Sequence, residues 1–139
     1  MSTELTVLAL AGLLQAAHFL VVATATHLEL PASKSMGPRD PDTLGPPLRD
    51  QVSRRTGRTI RAWENHFESL ALFTIATVVV TLADAATPFT AVCAWAYLAA
   101  RVLYIPAYIL GLVPWRSVIW TVGFVAPALI LIATLASSG

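Results

Sequence analysis

The sequence predicts an all-α integral membrane protein folded as a four-helix up-down bundle, and three observations carry that reading. Of the 139 residues, 56% are hydrophobic and only 12% are charged, which is too apolar for an ordinary water-soluble domain and too short for a second domain. Four apolar runs each reach the roughly 20 residues needed to cross a hydrocarbon core. Seven of the nine basic residues, Lys34, Arg39, Arg49, Arg54, Arg55, Arg58 and Arg61, are confined to one stretch between apolar runs.

The first span covers residues 5–28 and holds no charge, its strongly polar groups being Gln15, His18 and His27. It is preceded by Glu4 instead of a basic segment and exceeds the apolar run of a signal peptide, so it reads as a retained helix. The loop that follows, residues 29–59, contains Pro31, Pro38, Pro41, Pro46 and Pro47, which exclude a long helix there. The second span covers 60–83, with Arg61, Glu64 and Glu68 confined to its first turns and no charge from Ser69 to Ala83. The third, 88–110, opens on Pro88, whose fixed φ and missing N–H suit a first helical turn. The fourth, 115–136, follows Pro114. Tight connections around Asp84 and around Gly111–Pro114 make consecutive spans antiparallel neighbours.

Lys and Arg are retained on the cytoplasmic side during insertion, so the basic loop is expected in the cytoplasm, with both termini and the Asp84 turn on the other side. Arg101 and Arg116 then also fall toward the cytoplasmic half. A nucleic-acid partner does not fit arginines placed between apolar spans, whereas anionic membrane lipid does. Cys93 is the only cysteine and lies in an apolar run, where a thiol packs as a small hydrophobe. His18 and His27 read as packed or hydrogen-bonded, and no metal-ligand spacing accompanies them. A small multidrug-type transporter would need a carboxylate inside its first span, which this chain lacks.

Ionisable groups in a span are costly to insert, so each calls for a partner or a ligand. Arg61, Asn65 and Glu68 are spaced i, i+4, i+7 and share one face of the second helix, Glu68 lying about 10 Å deeper than Arg61. Arg101, Tyr104 and Tyr108 form a comparable stripe on the third. Arg116 and Ser117 open the fourth, where free N–H groups and the helix dipole are expected to add positive character. Taken singly, Arg116 and the tryptophans also fit interfacial anchoring. Asn65 and Glu68 do not, being two turns into a span, and read as a buried polar site. One small bundle has little interior for such groups, which favours self-association.

The string Arg61-Ala62-Trp63-Glu64-Asn65-His66-Phe67-Glu68, followed by Phe73, resembles the R-A-x-x-N-x-x-E signature of the MAPEG family, membrane-associated proteins in eicosanoid and glutathione metabolism. Arg101-Val102 with Tyr108, the pair Arg116-Ser117, and Gly37-Pro38-Arg39-Asp40, similar to a G-x-R-D element of bacterial members, extend the resemblance over essentially the whole chain. The resemblance implies a homotrimer in a bacterial inner membrane, with glutathione bound between subunits and opening to the cytoplasm. Arg61, Asn65 and Glu68 would hold the tripeptide, with Arg101, Tyr104 and Tyr108 in the same binding stripe, and Arg116 with Ser117 would act on the thiolate. Trp63 and Tyr104 stand where many members carry histidine.

Two function classes follow. The first is a glutathione-dependent transferase or peroxidase-like enzyme that activates the thiol for attack on a hydrophobic electrophile or lipid hydroperoxide. The second, tied to Trp63 and Tyr104, is a non-catalytic binding or scaffold protein with the same trimeric polar pocket. Glutathione carries two carboxylates and an ammonium. Arginine forks match the former and Glu68 the latter, leaving the cationic excess needed to ionise a thiol of ordinary pKa about 8.5.

Overall fold

The computed structural model describes residues 1–139 and contains seven helices and no strand. Four are long enough and apolar enough to span a membrane: α1 (Thr3–Glu29), α5 (Arg54–Leu82), α6 (Pro88–Ile109) and α7 (Trp115–Ser137). The chain is an integral multi-pass membrane protein. Three single-turn helices, α2 (Ala32–Ser35), α3 (Pro41–Leu44) and α4 (Leu48–Gln51), occupy the proline-rich connection. Each is kept short by the prolines around it. Gln51 ties this segment together, donating to the carbonyls of Leu44 and Pro46 and accepting from Lys34 Nζ at 2.8 Å.

Helix α5 begins at Arg54, six residues before the apolar pattern sets in. Capping decides this start. Ser53 accepts the Thr56 N–H at 3.2 Å, and Glu29, the last residue of α1, accepts from the Ser53 N–H at 2.9 Å and the Thr56 hydroxyl at 3.0 Å. A carboxylate at a helix N-terminus satisfies donors that would otherwise be orphaned. Hydropathy cannot register such a boundary, because the first turn of α5 is polar.

Helix α6 starts in a capping box, Thr87 and Thr90 each accepting from the other's backbone N–H, with Pro88 at N1. It ends in a Schellman motif: Leu112 N–H bonds Ala107 O and Gly111 N–H bonds Tyr108 O, with Gly111 at φ 67°. Arg58 Nη1 donates to the Ile109 carbonyl at 3.2 Å, so α5 closes the C-terminus of α6. Asp84 takes the corresponding left-handed position after α5.

Helix α1 packs on α5 and α6, and α7 on α6 and α5, the most extensive pairing being α6 with α7. The interior divides into two zones along the bundle axis. At the end formed by the Asp84 turn and the chain termini, Val7, Ala11, Phe73, Ala76, Val80, Cys93, Ala94, Tyr97, Ala126 and Ile130 form the apolar core. Burial from lipid yields little hydrophobic gain, so close contact must supply the stabilisation. The alanines let the backbones approach, and Phe73 and Tyr97 stack with centroids 4.1 Å apart and planes 7° from parallel. Glu4, buried at this end, accepts the Thr90 hydroxyl proton. At the loop end the interior is polar, with His18, Thr59, His66, Arg101 and Tyr104 all buried. That division puts the buried polar groups near the basic loop.

Candidate functional site: a cationic, tyrosine-lined cleft

Helices α5, α6 and α7 bring six of the eight predicted residues, Asn65, Glu68, Tyr104, Tyr108, Arg116 and Ser117, to two recesses that share Trp120 as a wall, whereas Arg61 and Arg101 line neither. The inner recess, about 230 Å³, is lined by Asn65, Glu68, Ser69 and Leu72 of α5 and by Trp120 and Phe124 of α7. The outer recess, about 520 Å³, is lined by Tyr104 and Tyr108 of α6 and by Arg116, Ser117, Trp120 and Thr121 of α7. Trp120 and Phe124 stack nearly parallel, with planes 8° apart and centroids at 5.6 Å.

Arginines and tyrosines alternate behind these recesses. Arg61 Nε donates to the Tyr108 hydroxyl at 3.2 Å, and the Arg116 guanidinium lies 5.7 Å from the Tyr108 ring centroid. Tyr108 packs on Tyr104 with centroids 5.6 Å apart, and the Arg101 guanidinium lies 4.5 Å from the Tyr104 centroid. Aromatic faces attract cations without neutralising them. The one ion pair in the protein, Arg49 with Glu64 at 3.0 Å, lies on an exposed surface outside both recesses. The cleft therefore keeps a net positive character.

The positions differ in how they face the opening. Arg116, Ser117 and Glu68 are exposed, and Arg61, Asn65 and Tyr108 are half-buried. Arg101 is 1% exposed and turns into the bundle, reaching Asn65 Oδ1 at 3.0 Å and His66 Nδ1 at 3.2 Å, so its charge acts on the cleft through Asn65 and Tyr104. One expectation is corrected. The N–H groups of Arg116 and Ser117 are already bonded, to Leu112 O at 3.0 Å and Pro114 O at 3.0 Å. The donors open to a ligand are therefore their side chains, because a turn at Leu112–Pro114 closes the first turn of α7.

Sequence reasoning overlooked Ser69, Leu72, Thr121 and Phe124 as cleft walls and treated Trp120 as an interfacial anchor. A helical wheel of α7 carries the missing signal, because Trp120 and Phe124 follow Arg116 at i+4 and i+8. A larger cavity, about 670 Å³, lies elsewhere, between α1, α5 and the loop, with Phe19, Val22, Ile60, Trp63, Arg39 and Arg49 among its walls. None of the predicted site residues lines it. The two remaining histidines are hydrogen-bonded: His18 Nε2 lies 3.0 Å from Thr59 O and His27 Nδ1 lies 3.2 Å from Ser35 Oγ.

Four spanning helices that assemble a cationic, aromatic-lined cleft at the loop end define a class: a polytopic membrane protein with its polar cleft beside the basic loop. The particular family follows from comparison with known proteins, where the model of the MAPEG family matches residues 5–136. The chain belongs to the MAPEG family, whose members are associated in general with glutathione-linked transferase and peroxidase chemistry in membranes. No curated protein and no solved structure matched it.

Proposed function

We propose that this protein is a membrane-bound, glutathione-dependent enzyme that ionises the glutathione thiol in the Arg116 recess and directs it at a hydrophobic electrophile or lipid hydroperoxide. The observation that carries the proposal is the meeting of Asn65, Glu68, Tyr108, Arg116 and Ser117 around two recesses that share Trp120, with Arg61 bonded to the Tyr108 hydroxyl behind them and the charges of Arg116 and Glu68 left without an ion pair. Glutathione has the complementary groups. Its carboxylates suit Arg61 and the Asn65 amide, its ammonium suits Glu68, and its sulfur suits Arg116 with the Ser117 hydroxyl.

The donor set is sufficient for the chemistry. Lowering a thiol pKa by one unit requires about 1.4 kcal/mol of preference for the thiolate, within the range of one well-placed guanidinium. No protein nucleophile is needed, because the tripeptide supplies the sulfur. A transferase step joins that sulfur to an electrophilic carbon with loss of the leaving group. A peroxidase step reduces a hydroperoxide to an alcohol and water, two glutathione molecules becoming the disulfide. In this reading the basic loop is cytoplasmic, the termini face the opposite side, and three copies assemble with the cleft between neighbours.

Replacing Arg116 with Ala tests the assignment. Mixing glutathione with the purified wild-type protein is expected to give thiolate absorbance in the ultraviolet at neutral pH. In Arg116→Ala the half-ionisation point rises toward that of free glutathione, about 8.5, and the neutral-pH signal falls about tenfold or more. An unchanged thiolate yield in the variant would refute the role of Arg116.

A further inference from the structure

His66 lies between Arg101 of α6 and Ala11 of α1, yet it lines neither recess. It is fully buried, at 0% exposure, and both ring nitrogens are engaged. Donor chemistry fixes the direction of every bond around it. Arginine only donates, so Nδ1 of His66, 3.2 Å from Arg101 Nε, is the acceptor. The ring proton is then on Nε2, which donates to the Ala11 carbonyl at 3.1 Å. The same guanidinium donates through Nη2 to Asn65 Oδ1 at 3.0 Å, so the amide oxygen of Asn65 points inward. Its amide nitrogen has no protein partner and is the group left for the inner recess, which Asn65 lines.

We infer that His66 is a positioning residue that sets the hydrogen-bond polarity of the cleft. A chain of four groups, the Ala11 carbonyl, the His66 ring, the Arg101 guanidinium and the Asn65 amide, makes Asn65 present a donor to the ligand. Three helices are coupled by it, since Ala11 belongs to α1, His66 and Asn65 to α5, and Arg101 to α6. The consequence is a selection rule for the inner recess: Asn65 takes an acceptor such as a carboxylate, and Glu68, beside it, takes an ammonium. An α-amino acid end group presents both. A ligand offering only donors at that point would leave the Asn65 N–H groups facing N–H groups. Reversing the His66 tautomer would set two N–H donors against each other and release Arg101, and with it the orientation of Asn65.

Naming the ligand rests on the proposed glutathione reading; the polarity itself does not, so the test has two parts. The full-length protein in lipid nanodiscs, labelled with ¹⁵N-histidine, is examined by NMR without ligand, and His66→Gln identifies the His66 resonances among the three histidines. The inference requires an unprotonated, pyridine-like Nδ1 and a protonated Nε2. The reverse tautomer or an imidazolium overturns it.

Glutathione affinity is then measured by calorimetry for three variants beside wild type. His66→Gln keeps an acceptor and a donor and should bind within about threefold of wild type, whereas His66→Leu, which removes the acceptor of Arg101 Nε and the side-chain donor to the Ala11 carbonyl, should bind about tenfold more weakly. Asn65→Asp gains an ion pair with Arg101 but replaces the presented donor by an acceptor. It should keep or raise the melting temperature while losing about tenfold in affinity. Wild-type affinity in His66→Leu or Asn65→Asp would overturn the inference. Absence of glutathione binding by wild type would instead sink the functional reading, and the tautomer measurement would still decide the relay.

Discussion

Glu68 and Arg116 are exposed and have no hydrogen-bond or ion-pair partner for their side chains, whereas Arg101 is buried and bonded on two sides. In the proposed function the first two meet the ligand and the third holds the site in shape. In the proposed function the group that meets Glu68 is the glutathione ammonium, with Asn65 and Ser69 as the other polar residues of the inner recess on α5. Glu68→Gln keeps the shape and removes the charge. Calorimetry should show affinity for glutathione falling about tenfold, the order of one charge-assisted hydrogen bond discounted for exposure, with turnover at saturating glutathione little changed. Equal affinity of the two proteins would argue against an ammonium contact. Spacing alone made Arg61, Asn65 and Glu68 legible as one face of a helix. It could not show that Arg101 turns away from the opening, since rotamer and burial follow from packing against α5 and α7. His66 lies inside the signature string and is illegible there, because a histidine between Asn65 and Phe67 carries no pattern until its two partners, 35 and 55 residues distant, are placed beside it.

The four-helix architecture follows from hydropathy because long uncharged runs admit no other structure in lipid. The loop was less legible: three one-turn helices and an early start of α5 are set by Gln51, Ser53 and Glu29, polar contacts that no periodicity encodes. Helix α7 contributes to the site as much by an absence as by side chains. Gly123 is buried against Arg101, and a Cβ added there would lie 3.3 Å from Arg101 Cδ and 3.7 Å from Nη1. Two effects of Gly123→Ala therefore oppose each other. Alanine favours the helix by about 1 kcal/mol, while the methyl group crowds the arginine stem and requires it to shift by a few tenths of an ångström. The stem can yield only by disturbing the bonds to His66 and Asn65. Gly123→Ala is thus expected to leave the thermal midpoint within a few degrees of wild type while weakening glutathione binding severalfold. A variant that binds as tightly as wild type would show that Arg101 has slack at this position, and that α7 does not hold it in place.

A single copy of this bundle leaves an unfavourable surface in the membrane. The cleft exposes Glu68, Arg116 and Ser117 on the side of α5 and α7, next to apolar side chains such as Phe67, Trp120, Val122 and Phe124 that are themselves exposed. A charged group facing hydrocarbon costs at least about 2.5–3.5 kcal/mol near the bilayer centre and less toward the interface, where arginine can extend to the headgroups. Arg116, at the start of α7, has that escape; Glu68, four turns into α5, has a short side chain and does not. A neighbouring protein surface removes the problem by replacing lipid over the cleft, and it also excludes water from the Arg116 recess, where a lower dielectric strengthens the hold on a thiolate. Burying the opening in this way makes assembly and ligand binding mutually dependent. Native mass spectrometry of the protein released from a mild detergent is expected to give three copies as the dominant species. Added glutathione should shift any residual monomer toward that species, as linkage requires when a ligand binds only the assembled form. If a monodisperse single copy bound glutathione with the same affinity as the assembled protein, one bundle would be a complete site, and the exposed Glu68 would need another source of shelter from lipid.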